Sequence, residues 1–120
     1  MRILGILGSS GLLLGVALGA FAAHALKTQL SESALNAFET GVRYQMYHSL
    51  AILVAALLSE RGSMFQSAGY LYAAGIVLFS FSLYVLAWSG IKWMGAITPL
   101  GGLCFLAGHL LMLVGFLKRS

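Results

Sequence analysis

The run Arg43-Tyr44-Gln45-Met46-Tyr47-His48 places a guanidinium, an amide, two phenols and an imidazole within two turns of helix and leads into the apolar stretch from Leu50 to Leu58. These groups can hold an anion, hydrogen-bond across helices or ligate a metal. They cannot easily do general acid–base work, because the only carboxylates are Glu32, Glu39 and Glu60, all at the margins of the apolar runs. A paired-carboxylate hydrolase, an intramembrane Asp/Glu proton relay and a carboxylate-rich Mg or Ca site are therefore not expected. Nucleophilic catalysis by Ser80 or Ser82 with His48 lacks an orienting acid. His24, His48 and His109 are the only imidazoles and lack clustered metal-ligand spacing, so no metal and no cofactor is expected.

The chain that carries them has 120 residues, 60% hydrophobic and only 8% charged, against roughly 25% charged in soluble domains. It reads as one membrane domain. Lipid covers the apolar faces and each helix satisfies its own backbone, so an all-α, polytopic bundle is the expected fold class. The net charge of +4 comes from Arg2, Lys27, Arg43, Arg61, Lys92, Lys118 and Arg119. These are scattered, which suits topology signals and headgroup contacts and argues against nucleic acid. Cys104 is the only cysteine, so no internal disulfide forms.

Four spans are predicted, at about residues 3–26, 42–58, 66–88 and 99–117. The first mimics a secretory signal, ending in small residues that include an Ala-x-Ala. Its 24-residue length marks it as a retained span. A short amphipathic helix at about residues 32–41 is expected to lie at the interface before the second span, with Ser31 as its N-cap. Thr98 and Pro99 fit the N-cap and first position of the fourth. Arg2, Arg61, Lys118 and Arg119 on one side outnumber Lys27, Arg43 and Lys92 on the other. Both termini are thus expected in the cytoplasm.

Helical periodicity assigns faces. Gly8, Gly11, Gly15 and Gly19 form a close-packing stripe on the first helix, which is expected to be the most enclosed of the four. Gly101, Gly108 and Gly115 recur every seven residues on the last. On the second helix Tyr44 and His48 face protein, whereas Met46, Leu50, Leu53 and Leu57 face lipid. Alternating spans bring His24, Arg43, Tyr44, His48, Ser80, Ser82, Tyr84 and Thr98 into one leaflet half, where they form a candidate ligand-binding cluster. In the plainer alternative Arg43 pairs with Glu39, the histidines act as interhelical glue, and Ser80 and Ser82 bond their own preceding carbonyls.

Four blocks carry a resemblance: Gly-Ala-Phe-Ala-Ala-His-Ala at 19–25, Thr-Gly-Val-Arg-Tyr-Gln-Met-Tyr-His at 40–48, Leu-Phe-Ser-Phe-Ser-Leu-Tyr at 78–84 and Gly-Ala-Ile-Thr-Pro-Leu-Gly-Gly at 95–102. In order and over nearly the whole chain, they resemble the YgdD-like family of small membrane proteins, domain of unknown function 423. The resemblance implies a bacterial inner-membrane protein without an established activity. His109 and Phe81 depart from that family's pattern, so the resemblance puts no functional weight on His109.

Two functions from different classes follow. One is a binding or transport module for a small polar or anionic molecule or a lipid headgroup. The other is a structural subunit whose glycine faces dock a membrane partner or a second copy. Neither is an enzyme, and membrane lipids are expected partners in both.

Overall fold

The computed structural model describes residues 1–118 and is helical nearly throughout; Arg119, counted among the topology signals, lies outside them. Helix α1 spans Arg2–His24. A 3₁₀ turn at Leu26–Thr28 leads to α2, Glu32–Leu58. A second such turn, Ser59–Arg61, leads to α3, Ser63–Gly75. A π-helical turn, Ile76–Phe81, joins α3 to α4, Ser82–Ser89, so that one continuous rod results. Helix α5 spans Met94–Lys118. Three rods are long and apolar enough to cross a membrane: Arg2–His24, Ser63–Ser89 and Met94–Lys118.

Residues 32–41 do not form a separate interfacial helix. They continue without a break into α2, because Phe38 and Gly41 are buried on the same face that the later turns present to the bundle. Ser31 caps α2 as its position predicts, its Oγ accepting from the Ala34 N–H at 3.1 Å. At 1.5 Å per residue α2 is ~40 Å long, against a hydrocarbon core of about 30 Å. Its polar first turns pack with Ala22, Leu26 and Ala87 into a small second core beyond the main one. Helix α5 also starts earlier than predicted. Pro99 lies inside it rather than at its first position, and Thr98 is no N-cap but bonds back to the Met94 carbonyl at 3.4 Å.

Glycines set which helices touch. Hydrophobicity gives membrane helices little reason to associate, so close backbone approach and packing must do it. The α1 stripe seats α2: a Cβ at Gly8 would meet Leu53 at 2.8 Å, one at Gly15 Met46 at 2.5 Å and one at Gly19 Val42 at 3.3 Å, while one at Gly11 would overlap Ser49 Oγ. Met46 and Leu53 therefore face α1, and of the four residues expected on the outer face of α2 only Leu50 and Leu57 are exposed. On the other side α5 and the α3–α4 rod interlock in antiparallel register. Phe65 fills the space at Gly115, Tyr72 that at Gly108, and Phe79 that at Gly101, where even its main chain would collide with a Cβ. Phe105 returns the contact at Gly75. The aromatic and glycine series share the same spacing of seven.

The rods thus lie in the order α1, α2, α3–α4, α5. Helix α1 packs chiefly on α2 and is an outer element. Only Leu4, Gly8, Gly15 and Ala22 of α1 are buried, so the expectation that it is the most enclosed helix is corrected: a single glycine face is all it presents to the bundle. The main core, with Leu4, Ile52, Ala68, Tyr72 and Phe105, sits between α2, α3 and α5.

Gly108→Val should lower the thermal unfolding midpoint in detergent, with a loss of about 2 kcal/mol typical of overpacking, because its Cβ falls 2.6 Å from Tyr72 Cε1. Gly5→Val, where nothing lies within 4 Å, should leave the midpoint nearly unchanged. Circular dichroism on both variants checks this.

Candidate functional site

The expected cluster divides by burial. His24 and Arg43 are exposed and do not join the buried groups: His24 ends α1 on its outer side, and Arg43 lies on the flank of α2. Arg43 does not pair with Glu39. Its Nη2 donates to Thr40 Oγ1 at 3.0 Å, and Thr40 Oγ1 donates to the Asn36 carbonyl at 2.8 Å. Thr40, Tyr44 and His48 are four residues apart and so form one row on α2. The bond to Thr40 therefore holds the guanidinium at the head of the row that carries the phenol and the imidazole.

Below it the helices are joined by a directional chain. His48 Nδ1 lies 2.8 Å from the Tyr44 carbonyl. A carbonyl only accepts, so in the neutral ring Nδ1 carries the proton and Nε2 is bare. His109 Nε2, 3.0 Å from His48 Nε2, must then donate to it. His109 Nδ1 is left as an acceptor and takes the Tyr72 hydroxyl at 2.8 Å. Every donor points the same way, from Tyr72 through His109 and His48 to the Tyr44 carbonyl, and α3, α5 and α2 are stitched together in turn. The two Nε2 atoms point at each other and share a proton. Among the described residues, no group of three or more His, Cys, Asp and Glu side chains could hold a metal ion. His48 also stacks on Phe105, with ring centroids 3.5 Å apart and planes 9° apart.

A second set joins α1, α2 and α4. Tyr84 donates to Gln45 Oε1 at 2.6 Å, and Gln45 Nε2 donates to the Gly11 carbonyl at 2.8 Å. Ser80 Oγ donates to the Gly41 carbonyl at 2.7 Å, across helices rather than to its own preceding turn. Gly41 permits this, since a Cβ there would stand 2.7 Å from Tyr84 Cε1. Ser82 does bond its own helix, at the Phe79 carbonyl, and it meets Thr98 Oγ1 at 2.6 Å. Ser80 and Ser82 are both buried, one turned to α2 and the other to α5.

Residue identity alone did not single out Gln45, Tyr72 and His109, which carry much of these networks. Gln45 lay inside the polar run without a partner in view. Tyr72 and His109 could have been found from the matched spacing of seven, which sets Tyr72 against Gly108 and so beside the next residue, His109.

A groove of ≈ 380 Å³ opens beside the histidine chain, walled by Tyr44, His48, Phe79, Phe105, Leu106 and His109. Its lining is aromatic and aliphatic except for the two imidazoles and the Tyr44 phenol. The Tyr44 and Phe79 rings meet at 4.6 Å, and Phe79 and Phe105 at 5.4 Å. Gly102 lines the same groove, and a Cβ there would come no nearer than 4.0 Å to Phe79 Cδ2.

No solved structure matches this chain. Curated proteins do. It is 45% identical over 121 residues to the UPF0382 membrane protein YwdK of Bacillus subtilis, covering 98% of each chain. It is 41% identical over 119 residues to the UPF0382 membrane protein SH2409 of Staphylococcus haemolyticus, again covering 98% of each. Residues 18–102 match the profile of a protein family of unknown function, DUF423. With relatives this similar along nearly the whole length, the chain belongs to the DUF423 family of uncharacterised membrane proteins.

Proposed function

We propose that this chain is a non-enzymatic membrane protein that binds an anionic phospholipid, with the phosphate on Arg43 and an acyl chain in the groove between α2 and α5. The observation that carries this reading is the row Thr40-Tyr44-His48. Arg43 is held by its bond to Thr40, one helical turn before the Tyr44 that lines an apolar, aromatic groove, so a charged end stands about one turn from an apolar seat.

Depth agrees with it. Helix α2 acts as the fourth crossing. Arg43 lies ~22 Å from its Leu58 end at 1.5 Å per residue, close enough to the far surface for the guanidinium to snorkel to the headgroups. The single bond to Thr40 leaves most of its five donors for phosphate oxygens. Tyr44 and Tyr47, with rings 5.7 Å apart, suit the same interfacial level. The protein sits in the bacterial cytoplasmic membrane with both termini inside, which puts the headgroup in the outer leaflet. Assembly through the glycine faces is the less favoured reading, because Gly8, Gly11, Gly15, Gly19, Gly101, Gly108 and Gly115 are filled from within the chain.

In nanodiscs, phosphatidylglycerol should raise the unfolding midpoint of the wild-type protein above its value in phosphatidylcholine. Arg43→Gln should weaken phosphatidylglycerol retention in native mass spectrometry about tenfold, the scale of one charge-assisted hydrogen bond of roughly 1.5–3 kcal/mol. Gly102→Leu, which fills the groove without a clash, should lose the lipid response and keep its fold. Equal retention by wild type and both variants would falsify the reading.

The histidine chain is scaffold under this proposal. His109→Leu strips partners from Tyr72 Oη and His48 Nε2 together and should cost about 2 kcal/mol or more, as buried unpaired polar groups do. The double variant His109→Leu/Tyr72→Phe should recover part of that loss, measurable as a thermodynamic cycle.

A further inference from the structure

A second opening lies on the opposite flank of α2, between α1 and the α3–α4 rod. It measures ≈ 230 Å³, and its lining includes Ser10, Gly11, Gln45, Ala73, Val77 and Phe81. Gly11 and Ile76 each fall near the midpoint of their rod, Arg2–His24 and Ser63–Ser89, and the Gln45 side chain reaches the Gly11 carbonyl. The cleft is therefore at the centre of the bundle, where a charged group costs most, and no charged side chain lines it.

Its polar groups have capacity to spare. Gln45 is 1% exposed, and a carboxamide offers two N–H donors and two acceptor positions. One donor goes to the Gly11 carbonyl and one acceptor position to Tyr84, so one N–H and one lone pair are left over. The Ser10 hydroxyl lines the cleft and has no partner among the described residues. An acyl chain in the cleft would leave all of these unanswered, at a cost of order 1–3 kcal/mol for each group. A phospholipid headgroup is excluded by depth and charge. The volume is below the roughly 300–1,000 Å³ of drug-sized pockets, which suits a single ring.

We infer that the α1–α3 cleft binds a neutral, lipid-soluble carbonyl compound of the quinone class, with the Gln45 carboxamide donating to a ring carbonyl and the Ser10 hydroxyl as second contact. Phe81, at the mouth and 39% exposed, offers a face for the ring. The site is separate from the phospholipid groove and does not depend on it.

The test is a titration of the full-length protein with decylubiquinone in phosphatidylcholine nanodiscs, followed by the thermal midpoint. The wild-type midpoint should rise and saturate. Ser10→Ala should raise the half-saturating concentration several-fold. Ala73→Leu should abolish the shift by filling the cleft. Val77→Phe, at a position 53% exposed where bulk is tolerated, should do the same and serves if the first variant fails to fold. Gly102→Leu should respond to decylubiquinone as the wild type does, so the two sites fail separately. The inference is overturned by no shift, by a non-saturating shift that marks partition into the bilayer, by unchanged saturation in the filled variants, or by an equal saturable shift with an alkane of similar length.

Discussion

The helices of this protein can be joined only where glycine lets their backbones meet. In water, burial of apolar surface would hold such rods together; in lipid the surroundings are as apolar as the side chains, and association falls to packing and to hydrogen bonds between helices. Gly101, Gly108 and Gly115 admit Phe79, Tyr72 and Phe65, and Gly11 admits Ser49. Two of the polar links between helices are downstream of these approaches. Tyr72 reaches His109 because its ring lies in the space at Gly108, and Gln45 reaches the Gly11 carbonyl because α1 comes down onto α2 without a Cβ in the way.

The same constraint explains why the polar side chains are largely paired with one another. A hydroxyl or imidazole in hydrocarbon has no water to turn to. Tyr72, His109 and His48 answer each other in a single direction, and the last donor ends on a backbone carbonyl. Such a chain adds little net energy per bond, but it is costly to leave incomplete, so it acts mainly as a device for register. A slip of α5 by one residue would move His109 from His48 and set the glycines out of step with the aromatics at once.

Much of this was legible in the sequence. Composition and run length gave a helical membrane protein, and the small-residue stripes marked two contact faces. The inward direction of His48, Ser80 and Tyr84 follows from period alone. Three things were not legible, each for a physical reason. A change in polarity at Val42 looks like a boundary, yet a helix passes through it whenever the flanking turns pack on the same side, as Phe38 and Gly41 do. Pro99 suggests a helix start, but one missing N–H can be tolerated inside a helix whose neighbours hold it. Which stripe meets which helix depends on pairing between segments far apart in sequence. The series 65, 72, 79 and 101, 108, 115 become meaningful only when they are set against each other.

Where polarity is left over, the two flanks of α2 sort it. Arg43 keeps a charge with spare donors on the exposed flank, tied to Thr40 one turn before the Tyr44 that lines the α2–α5 groove. Gln45, two residues on and only ~3 Å further along the axis, is turned to the other flank and keeps a neutral amide with spare capacity against α1. One short run of α2 therefore faces two environments: an exposed flank that carries a charge, and a cleft between helices lined by no charged side chain. The split is forced by helical geometry, since two residues along a helix are about 200° apart. It gives the run from Arg43 to His48 a physical reason to mix a cation, an amide and an imidazole. Each is placed on the flank where its hydrogen-bonding chemistry can be tolerated, and the intervening Met46 fills the space at Gly15 that keeps α1 in contact.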